Sequence, residues 1–207
     1  MTISAVEVNE LKQAPAVDGV LPAFHERWSA RAFADREVSA GDLKRVFEAA
    51  RWAASSRNEQ PWRYFVGRRG SETHQKIYSA LAPANQVWAG AAPVLILGVA
   101  NTKFAHNGSE NRVALYDLGA ATSYLTLQAA ALGLTSHQMA GFDEKKALEV
   151  FAIPDGYTAG AVVALGYQGE PSALGNQHLL EMETSPRTRK PLNEFVLSAW
   201  GEAAELK

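Results

Sequence analysis

The sequence has no cysteine and no marked excess of charge, and each absence excludes a class of protein. The lack of cysteine excludes disulfide scaffolds, thiolate metal sites, iron–sulfur clusters and cysteine nucleophiles together. A net charge of -2, from 20 Lys and Arg against 22 Asp and Glu residues, provides no overall field for a nucleic acid. We therefore expect no nucleic-acid partner.

Long hydrophobic runs and export signals are also missing. The most apolar stretch, residues 89–100, contains Pro93 and is well short of the ~20 residues that a membrane-spanning helix needs. Residues 1–10 lack the basic and apolar regions of a signal peptide. The expectation is a cytoplasmic protein without a membrane partner.

Common catalytic motifs are absent as well. The chain contains no G-x-S-x-G, no H-E-x-x-H, and neither of the usual glycine-rich phosphate-binding motifs. Its five histidines are scattered, and no two have the spacing that would place both on one helical face. We therefore predict no metal site.

The residues that are present indicate one folded domain. Hydrophobic residues make up 47% of the 207 residues and charged residues 20%, which is enough apolar side chain for a sizeable core. Residues 1–20 show no sustained period and carry Pro15 and Gly19, so we interpret them as an N-terminal extension or a marginal first helix. Residues 21–207 are interpreted as a single domain.

Hydrophobic periodicity predicts helices and strands around one sheet. Ser39 lies three residues before Asp42, a spacing typical of a helix N-cap, and Asp143 is expected to cap a later helix. The predicted helices span residues 40–53, 72–81, 113–132, 143–151 and 193–200. The predicted strands span residues 63–67, 94–99, 135–139 and 160–167.

Two segments depart from the ordinary pattern. Residues 113–132 are apolar on most sides, which predicts a helix that is buried or shared with a partner. Residues 169–190 show no clear period, and an irregular segment of that length is usually functional or disordered.

Three polar clusters could carry chemistry. Residues 27–31 place two arginines and a serine together, which suits an anion or a planar acceptor edge, although a surface turn has the same composition. Residues 55–62 supply hydroxyls and amides, as would an ordinary loop closed by Pro61. Residues 187–190 hold three cations, which alone would be a solvated charge run.

Together these clusters resemble a known family. The segments RWSARAF (27–33), EAARWAASSRNEQPW (48–62), GFD (141–143) and SPRTRKPL (185–192) are similar, in the same order, to the signature blocks of the FMN-dependent nitroreductases. The resemblance covers residues ~25 to 200. Ala30 and Ala54 stand where relatives often carry proline, and Ala140 stands where some members have a carboxylate.

The resemblance implies an α+β fold of three layers, α/β/α, with a central mixed, mainly antiparallel sheet in a domain-exchanged homodimer. Residues 169–207 would form a C-terminal tail that wraps the partner subunit. The helix over residues 113–132 would form the core of the dimer.

The resemblance also implies which residues bind the flavin, with no catalytic residue of the protein's own. Arg27 and Ser29 would serve the ribityl-phosphate end, Arg31 would face the pyrimidine edge, and Trp28 lies in the same block. Arg187 and Arg189 are implied at the phosphate, and Ser55, Ser56 and Asn58 are implied to reach the flavin from the partner subunit. Contacts with the ring are implied for Gly141 and for Asn85, which lies in a predicted turn over residues 83–86. At Gly141 the missing side chain would let the backbone approach the ring near N5.

The implied activity is an FMN-dependent oxidoreductase that uses NAD(P)H to reduce nitroaromatic, quinone or similar acceptors by a ping-pong mechanism. A cation near the ring would favour the reduced flavin and ease hydride acceptance. Residues 101–112 form the candidate loop facing the acceptor. Two alternatives remain open, a flavoenzyme of the same fold that acts as a dehydrogenase or dehalogenase, and a non-catalytic flavin-binding module.

Overall fold

The computed structural model describes residues 3–206 as a succession of helices and strands. The helices are α1 (Ala5–Lys12), α2 (Pro22–Glu26), α3 (Ala40–Arg51), α4 (Glu72–Ala80), α5 (Pro83–Ala89), α6 (Ala114–Ala131), α7 (Glu144–Val150) and α8 (Gln177–Thr184). The strands are β1 (Trp62–Arg68), β2 (Val94–Asn101), β3 (Thr135–Met139), β4 (Tyr157–Gly166), β5 (Leu197–Ala199) and β6 (Glu202–Ala203). Short 3₁₀ turns occur at Ser56–Asn58, Pro171–Leu174 and Leu192–Glu194. No helix in this part of the chain is long and apolar enough to cross a bilayer.

The central sheet has four strands in the order β1-β2-β4-β3. All three pairings are antiparallel, so the mainly antiparallel sheet is confirmed, and residues 3–206 contribute no parallel pair to it. Strand β2 lies in the middle and is buried over almost its full length, as its uninterrupted apolar sequence predicts.

Helices cover both faces of this sheet. Leu95, Leu97 and Val99 of β2 point to a core shared with α4, α5 and α7. Val94 and Ile96 point to the opposite face, where they pack with α3 and α6. Because successive side chains of a strand point to opposite faces, one apolar strand supplies both cores. The predicted three-layer α+β fold is therefore confirmed.

The predicted helix starts are confirmed by local hydrogen bonds. The side chain of Ser39 accepts the N–H of Asp42 at the start of α3, and that of Asp143 accepts the N–H of Lys146 at the start of α7. Helix α1 begins with a capping box between Ser4 and Glu7. Residues 1–20 thus include a docked helix, since α1 buries Val8 completely.

The C-terminal segment differs from the prediction. The helix expected over residues 193–200 is wrong, because this segment forms a 3₁₀ turn and the small hairpin of β5 and β6, closed by Gly201 at a φ of 84°. Its apolar residues pack little against the rest of the described chain, since Phe195 is 60% exposed and Trp200 is 99% exposed. A short helix without packing is marginal.

The preceding segment packs on its own subunit. Within residues 169–190, a 3₁₀ turn and α8 replace the expected irregular chain, and Pro171, Leu179 and Glu183 are buried. The exposed tail begins only after Thr184. That this tail wraps a partner stays a prediction.

Candidate functional site

Burial alternates along the extended segment 27–32. The even-numbered side chains are buried and the odd-numbered ones are half-buried, so the latter share one side of the chain: Arg27, Ser29 and Arg31. Trp28 faces the other way, where its indole N–H donates to the Oδ1 atom of Asn9 at 2.8 Å. The three polar residues predicted to face a ligand thus lie together, while the indole of Trp28 supports α1.

Three guanidinium groups gather at one end of this segment, and we call Arg27, Arg187 and Arg189 the arginine cluster. Arg187 donates to the carbonyl oxygens of Arg27 and His25, each at 2.6 Å, and its Nε is buried without a partner. Burial and the charge of Arg189 lower the pKa of Arg27, and the same two causes together with Arg27 lower the pKa of Arg187. Among residues 3–206 no carboxylate contributes to either shift. The cluster is an uncompensated positive region, which suits a phosphate.

Arg31 lies at the other end of the segment beside a buried acid. Its backbone N–H donates to the carboxylate of Glu183 at 2.9 Å, while its guanidinium stays 3.9 Å from that carboxylate. Burial lowers the pKa of Arg31, and the charge of Glu183 opposes this. The side chain of Arg31 is 18% exposed, so its guanidinium is sheltered and still open to a ligand.

Asn85 and Gly141 are brought into contact. Asn85 belongs to α5, rather than to the turn that its sequence predicted, and its side-chain amide donates to the carbonyl oxygen of Gly141 at 2.9 Å. A Cβ atom at position 141 would lie 2.7 Å from that amide nitrogen, so only glycine fits without displacing Asn85. The N–H of Gly141 has no hydrogen-bond partner within residues 3–206.

A small cavity connects Arg31 with the helix that carries Asn85. The cavity holds about 130 Å³ and is lined by Arg31 and Phe33 on one side and by Gln86 and Trp88 of α5 on the other. Behind it, the ring of His137 packs on Trp88 with centroids 4.7 Å apart. Arg31 therefore borders the same cavity as α5, the helix that carries Asn85.

His137 is fixed in a neutral state at this place. Its Nδ1 lies 3.1 Å from the carbonyl oxygen of Ala30. Burial, and then the charge of Arg31, lowers the pKa of His137 to about 4. The imidazole therefore adds no positive charge beside Arg31 at neutral pH.

Residues 55–60, which we call the serine loop, carry the remaining predicted residues. Arg57, Asn58 and Gln60 all have φ between 50° and 56°, which is unusual for residues other than glycine. The N–H of Ser56 donates to the buried carboxylate of Asp117 in α6 at 3.0 Å, and Ser55 Oγ accepts the N–H of Gln60 at 3.0 Å. Asp117 thus fixes a strained loop.

The serine loop makes no hydrogen bond to the other predicted residues within the described part of the chain. Within residues 3–206 no hydrogen bond joins Ser55, Ser56 or Asn58 to the arginine cluster or to Gly141. Asn58 is exposed and its side chain makes no hydrogen bond there. Hydrogen bonds among the described residues therefore do not connect the serine loop to the rest of the predicted set.

Sequence reasoning did not identify the buried acids Glu183 and Asp117 or the neutral His137. Glu183 stands in a segment without period, two residues from the exposed Glu181, and nothing local distinguishes them. Asp117 had one signal, as the acidic residue that interrupts an otherwise apolar helix. A buried charge needs a partner, and these partners are distant in sequence.

Comparisons with known proteins agree with this geometry. The sequence model of the Nitroreductase family matches residues 25–91 and 74–167. A 15.4 kDa protein of Mycolicibacterium smegmatis, from the ask 5' region, is 36% identical over 150 residues, which cover 67% of this chain and 97% of that protein. A protein of Archaeoglobus fulgidus with the name "Putative NADH dehydrogenase/NAD(P)H nitroreductase" is 31% identical over 151 residues, covering 71% of this chain and 84% of that one.

A solved structure is similar over most of the chain. The crystal structure of an oxidoreductase containing FMN has a TM-score of 0.83 and 33% sequence identity, and it covers 90% of this chain and 94% of its own. The family model covers well over half of the chain, and both the sequence relatives and the fold agree with it. The chain belongs to the nitroreductase family.

Proposed function

We propose that the protein is an FMN-dependent NAD(P)H oxidoreductase that reduces nitroaromatic, quinone or similar acceptors. The observation that carries the proposal is the arginine cluster at one end of segment 27–31 and, at the other end, Arg31 in a cavity that it shares with α5, the helix whose Asn85 contacts Gly141. A long ligand with an anionic end and a polar planar end fits that order. Family membership and the FMN-containing structure described above support FMN as this ligand.

The anionic end of the site would hold the phosphate. Arg187 already donates from both terminal nitrogens to backbone carbonyl groups, so it fixes the chain at Arg27 and keeps for a ligand its buried Nε–H and the second hydrogen of each terminal nitrogen. Arg27, whose side chain makes no hydrogen bond within residues 3–206, and Arg189, whose Nη1 donates to the carbonyl oxygen of Thr188 at 2.8 Å, supply further guanidinium donors. Burial and the charges of neighbouring arginines lower the pKa values of Arg27 and Arg187, and a phosphate would offset the repulsion among these arginines.

The planar end of the site would hold the flavin ring. Arg31 supplies a sheltered positive charge, and Gly141 supplies an N–H without a partner where no side chain intrudes. Asn85 holds the carbonyl group of Gly141 and so fixes the backbone next to that N–H. When bound, FMN would accept and donate hydride. The protein would bind and orient the flavin and provide positive charge next to it.

We also propose that the enzyme works as an obligate homodimer in which the serine loop serves the partner's flavin. The support is an apolar groove of about 490 Å³ lined by Leu21, Phe24, Trp52 and Tyr124. Trp52 is 71% exposed and Trp200 in the tail is 99% exposed, although such side chains are usually covered in folded proteins. Sedimentation should find a dimer, and a stable folded monomer at micromolar concentration would contradict this proposal.

The test begins with the purified protein. We expect a yellow protein with one FMN per subunit, and reconstitution of apoprotein should weaken in Arg189→Ala but not in Lys190→Ala, since Lys190 pairs with Glu194 at 3.6 Å in the exposed tail. A colourless protein that takes up no FMN on titration would refute the proposal.

The catalytic part of the proposal is tested in stopped flow. NADH or NADPH should bleach the bound flavin without oxygen, and a nitroaromatic or quinone should restore its colour in a separate step. A non-catalytic flavin-binding module would stay oxidised. Bleaching without reoxidation by either acceptor class would favour a dehydrogenase or dehalogenase instead. The cytoplasmic location stays a prediction.

A further inference from the structure

A fully buried carboxylate lies directly behind Arg31. Glu183, in the last turn of α8, accepts the N–H of Arg31 at 2.9 Å and the N–H of Ala32 at 3.0 Å on the same oxygen, Oε1. Its second oxygen, Oε2, lies 3.1 Å from the nitrogen of Arg31. The amide nitrogen of Gln168 lies 3.5 Å from Oε1. The hydrogen bonds of Glu183 are therefore directed mainly at the backbone of two consecutive residues.

Glu183 is not one half of a conventional ion pair. The nearest guanidinium nitrogen of Arg31 is 3.9 Å away, beyond hydrogen-bond distance. The other nearby cation, Lys12 of α1, donates to the carbonyl oxygen of Met182 at 3.0 Å and lies 4.9 Å from the ring centroid of Trp28. Both cations balance the charge of Glu183 from a distance, and the donors of Arg31 stay available.

The arrangement accounts for a buried charge that would otherwise be unfavourable. Removing a carboxylate from water is costly unless hydrogen bonds satisfy its oxygens. Here two backbone N–H groups satisfy Oε1, and those N–H groups would in turn be unpartnered without it. Segment 31–32 lies in an irregular stretch with few ladder bonds of its own, so this carboxylate fixes its backbone.

We propose that Glu183 is the positioning residue of Arg31. By holding the backbone at residues 31 and 32, Glu183 fixes the direction in which the Arg31 side chain leaves the chain. The part of this inference that concerns the flavin rests on the proposed function, in which Arg31 faces the ring. Glu183 of α8, near the C-terminal end of the sequence, thereby positions the guanidinium group of Arg31 near the N-terminal end.

Two variants separate the reach of Glu183 from its charge. Glu183→Asp keeps the charge but withdraws the oxygens by one carbon–carbon bond, ~1.5 Å, so both N–H groups lose their acceptor. Glu183→Gln keeps the length and an amide oxygen that can accept both N–H groups, and it removes the charge. Glu181→Gln, on the exposed side of the same helix, is the matched control.

The first measurement needs no cofactor. In the apoprotein, the amide hydrogens of Arg31 and Ala32 should exchange roughly tenfold faster, or more, in Glu183→Asp than in the unaltered protein. Their exchange should be unchanged in Glu183→Gln and in Glu181→Gln. Unchanged exchange in Glu183→Asp, or lost protection in Glu183→Gln, would overturn the proposal.

The second measurement is the midpoint potential of bound FMN. Glu183→Asp should lower it toward the value of Arg31→Gln, and Glu183→Gln should leave it at or above the unaltered value. In the Arg31→Gln background, Glu183→Asp should add nothing, since a residue acting through Arg31 has no effect once Arg31 is gone. A merely structural role would lower the melting temperature and leave the potential in place.

Each remaining outcome of these measurements also supports or refutes the proposed role of Glu183. A potential in Glu183→Gln as low as in Glu183→Asp would mean that charge, and not reach, is what matters, and would overturn the proposal. Should Glu183→Asp not fold, Glu183→Gln decides, because retained protection and potential support the proposal and the loss of either refutes it. A protein that binds no FMN would refute the proposed function. The exchange measurement would still test whether Glu183 fixes the backbone of residues 31 and 32.

Discussion

Replacing Arg31 with Gln should lower the potential of the bound flavin and slow its reduction by NAD(P)H. The proposed position of Arg31 is beside the pyrimidine edge of the ring, where negative charge increases on reduction. A cation there stabilises the reduced form more than the oxidised form, and only such a difference shifts a redox equilibrium. Gln retains hydrogen-bonding ability and loses the charge, so the variant isolates the electrostatic part.

The size of the effect follows from the surroundings of Arg31. Hydrogen bonds to charged groups contribute ~1.5–3 kcal/mol, which corresponds to roughly 30–60 mV for a two-electron couple. The side chain is 18% exposed, so solvent screens the charge only in part. Glu183, 3.9 Å from the guanidinium, offsets some of the charge, and we therefore expect the lower half of that range.

The assay is a dye-referenced spectroscopic titration of the bound flavin, with stopped-flow reduction by NAD(P)H beside it. Arg189→Ala provides the contrast, since a phosphate contact is the same in both redox states and should affect FMN affinity without moving the potential. If Arg31→Gln left the potential and the reduction rate untouched and merely weakened binding, the assignment of Arg31 to the ring edge would be wrong.

Three further predictions follow from the described contacts. Gly141→Ala should weaken FMN binding in a fluorescence titration, because its Cβ would lie 2.7 Å from the amide nitrogen of Asn85 and displace that side chain. Asp117→Ala should lower the free energy of unfolding in urea by ~1–3 kcal/mol, since the N–H of Ser56 loses a charged acceptor. For His137, burial lowers the pKa from 6.5 to about 4, so the unfolded chain takes up a proton below pH 6.5 that the folded chain does not. Stability should be full above that pH and fall by ~1–3 kcal/mol as the pH approaches 4, and His137→Gln should flatten this part of the curve.

Each of these predictions has a result that would contradict it. Gly119, which is exposed and has open space around it, offers the control Gly119→Ala, and equal FMN affinities for the two alanine variants would remove the steric argument. An Asp117→Ala protein as stable as the unaltered one would mean that Ser56 finds another acceptor. An unchanged pH profile in His137→Gln would assign the acid sensitivity to other groups.

Local rules were sufficient where the decisive interaction is local. The N-caps at Ser39 and Asp143 were predictable because each hydrogen bond joins residues three apart. Strand β2 was predictable because a short apolar run buried on both faces needs no information from elsewhere in the chain.

The prediction was wrong or incomplete where local signals are ambiguous. Pro83 was interpreted as part of a turn, although proline is also favoured in the first turn of a helix, and α5 begins there. The apolar spacing of Phe195, Val196 and Ala199 predicted a helical face, but residues 3–206 leave most of that face exposed. A periodic pattern predicts a helix only if a surface exists to bury it.

The candidate site divides in the same way. The family blocks were enough to predict that Arg27, Arg187 and Arg189 lie together, because the resemblance assigns all three to the phosphate end of the flavin. The acid behind Arg31 was not predictable, since Glu183 is 152 residues from its main partner in sequence. Sequence spacing describes contacts along one helix or strand, and it contains no information on contacts made by folding two distant segments together.

The two buried acids that sequence reasoning did not identify, Glu183 and Asp117, act in the same way, and this connects stability with binding. Glu183 and Asp117 accept hydrogen bonds mainly from backbone N–H groups, and neither forms a close ion pair with an arginine of the proposed site. A carboxylate that paired directly with Arg31 would fix the same segment but would cancel the charge that the site needs. Holding the loop by its backbone instead fixes the geometry, leaves the arginine cluster uncompensated and offsets the charge of Arg31 only in part. The missing negative charge is then supplied by the ligand, so the electrostatic cost of assembling the site in the empty protein becomes part of the affinity for an anionic cofactor.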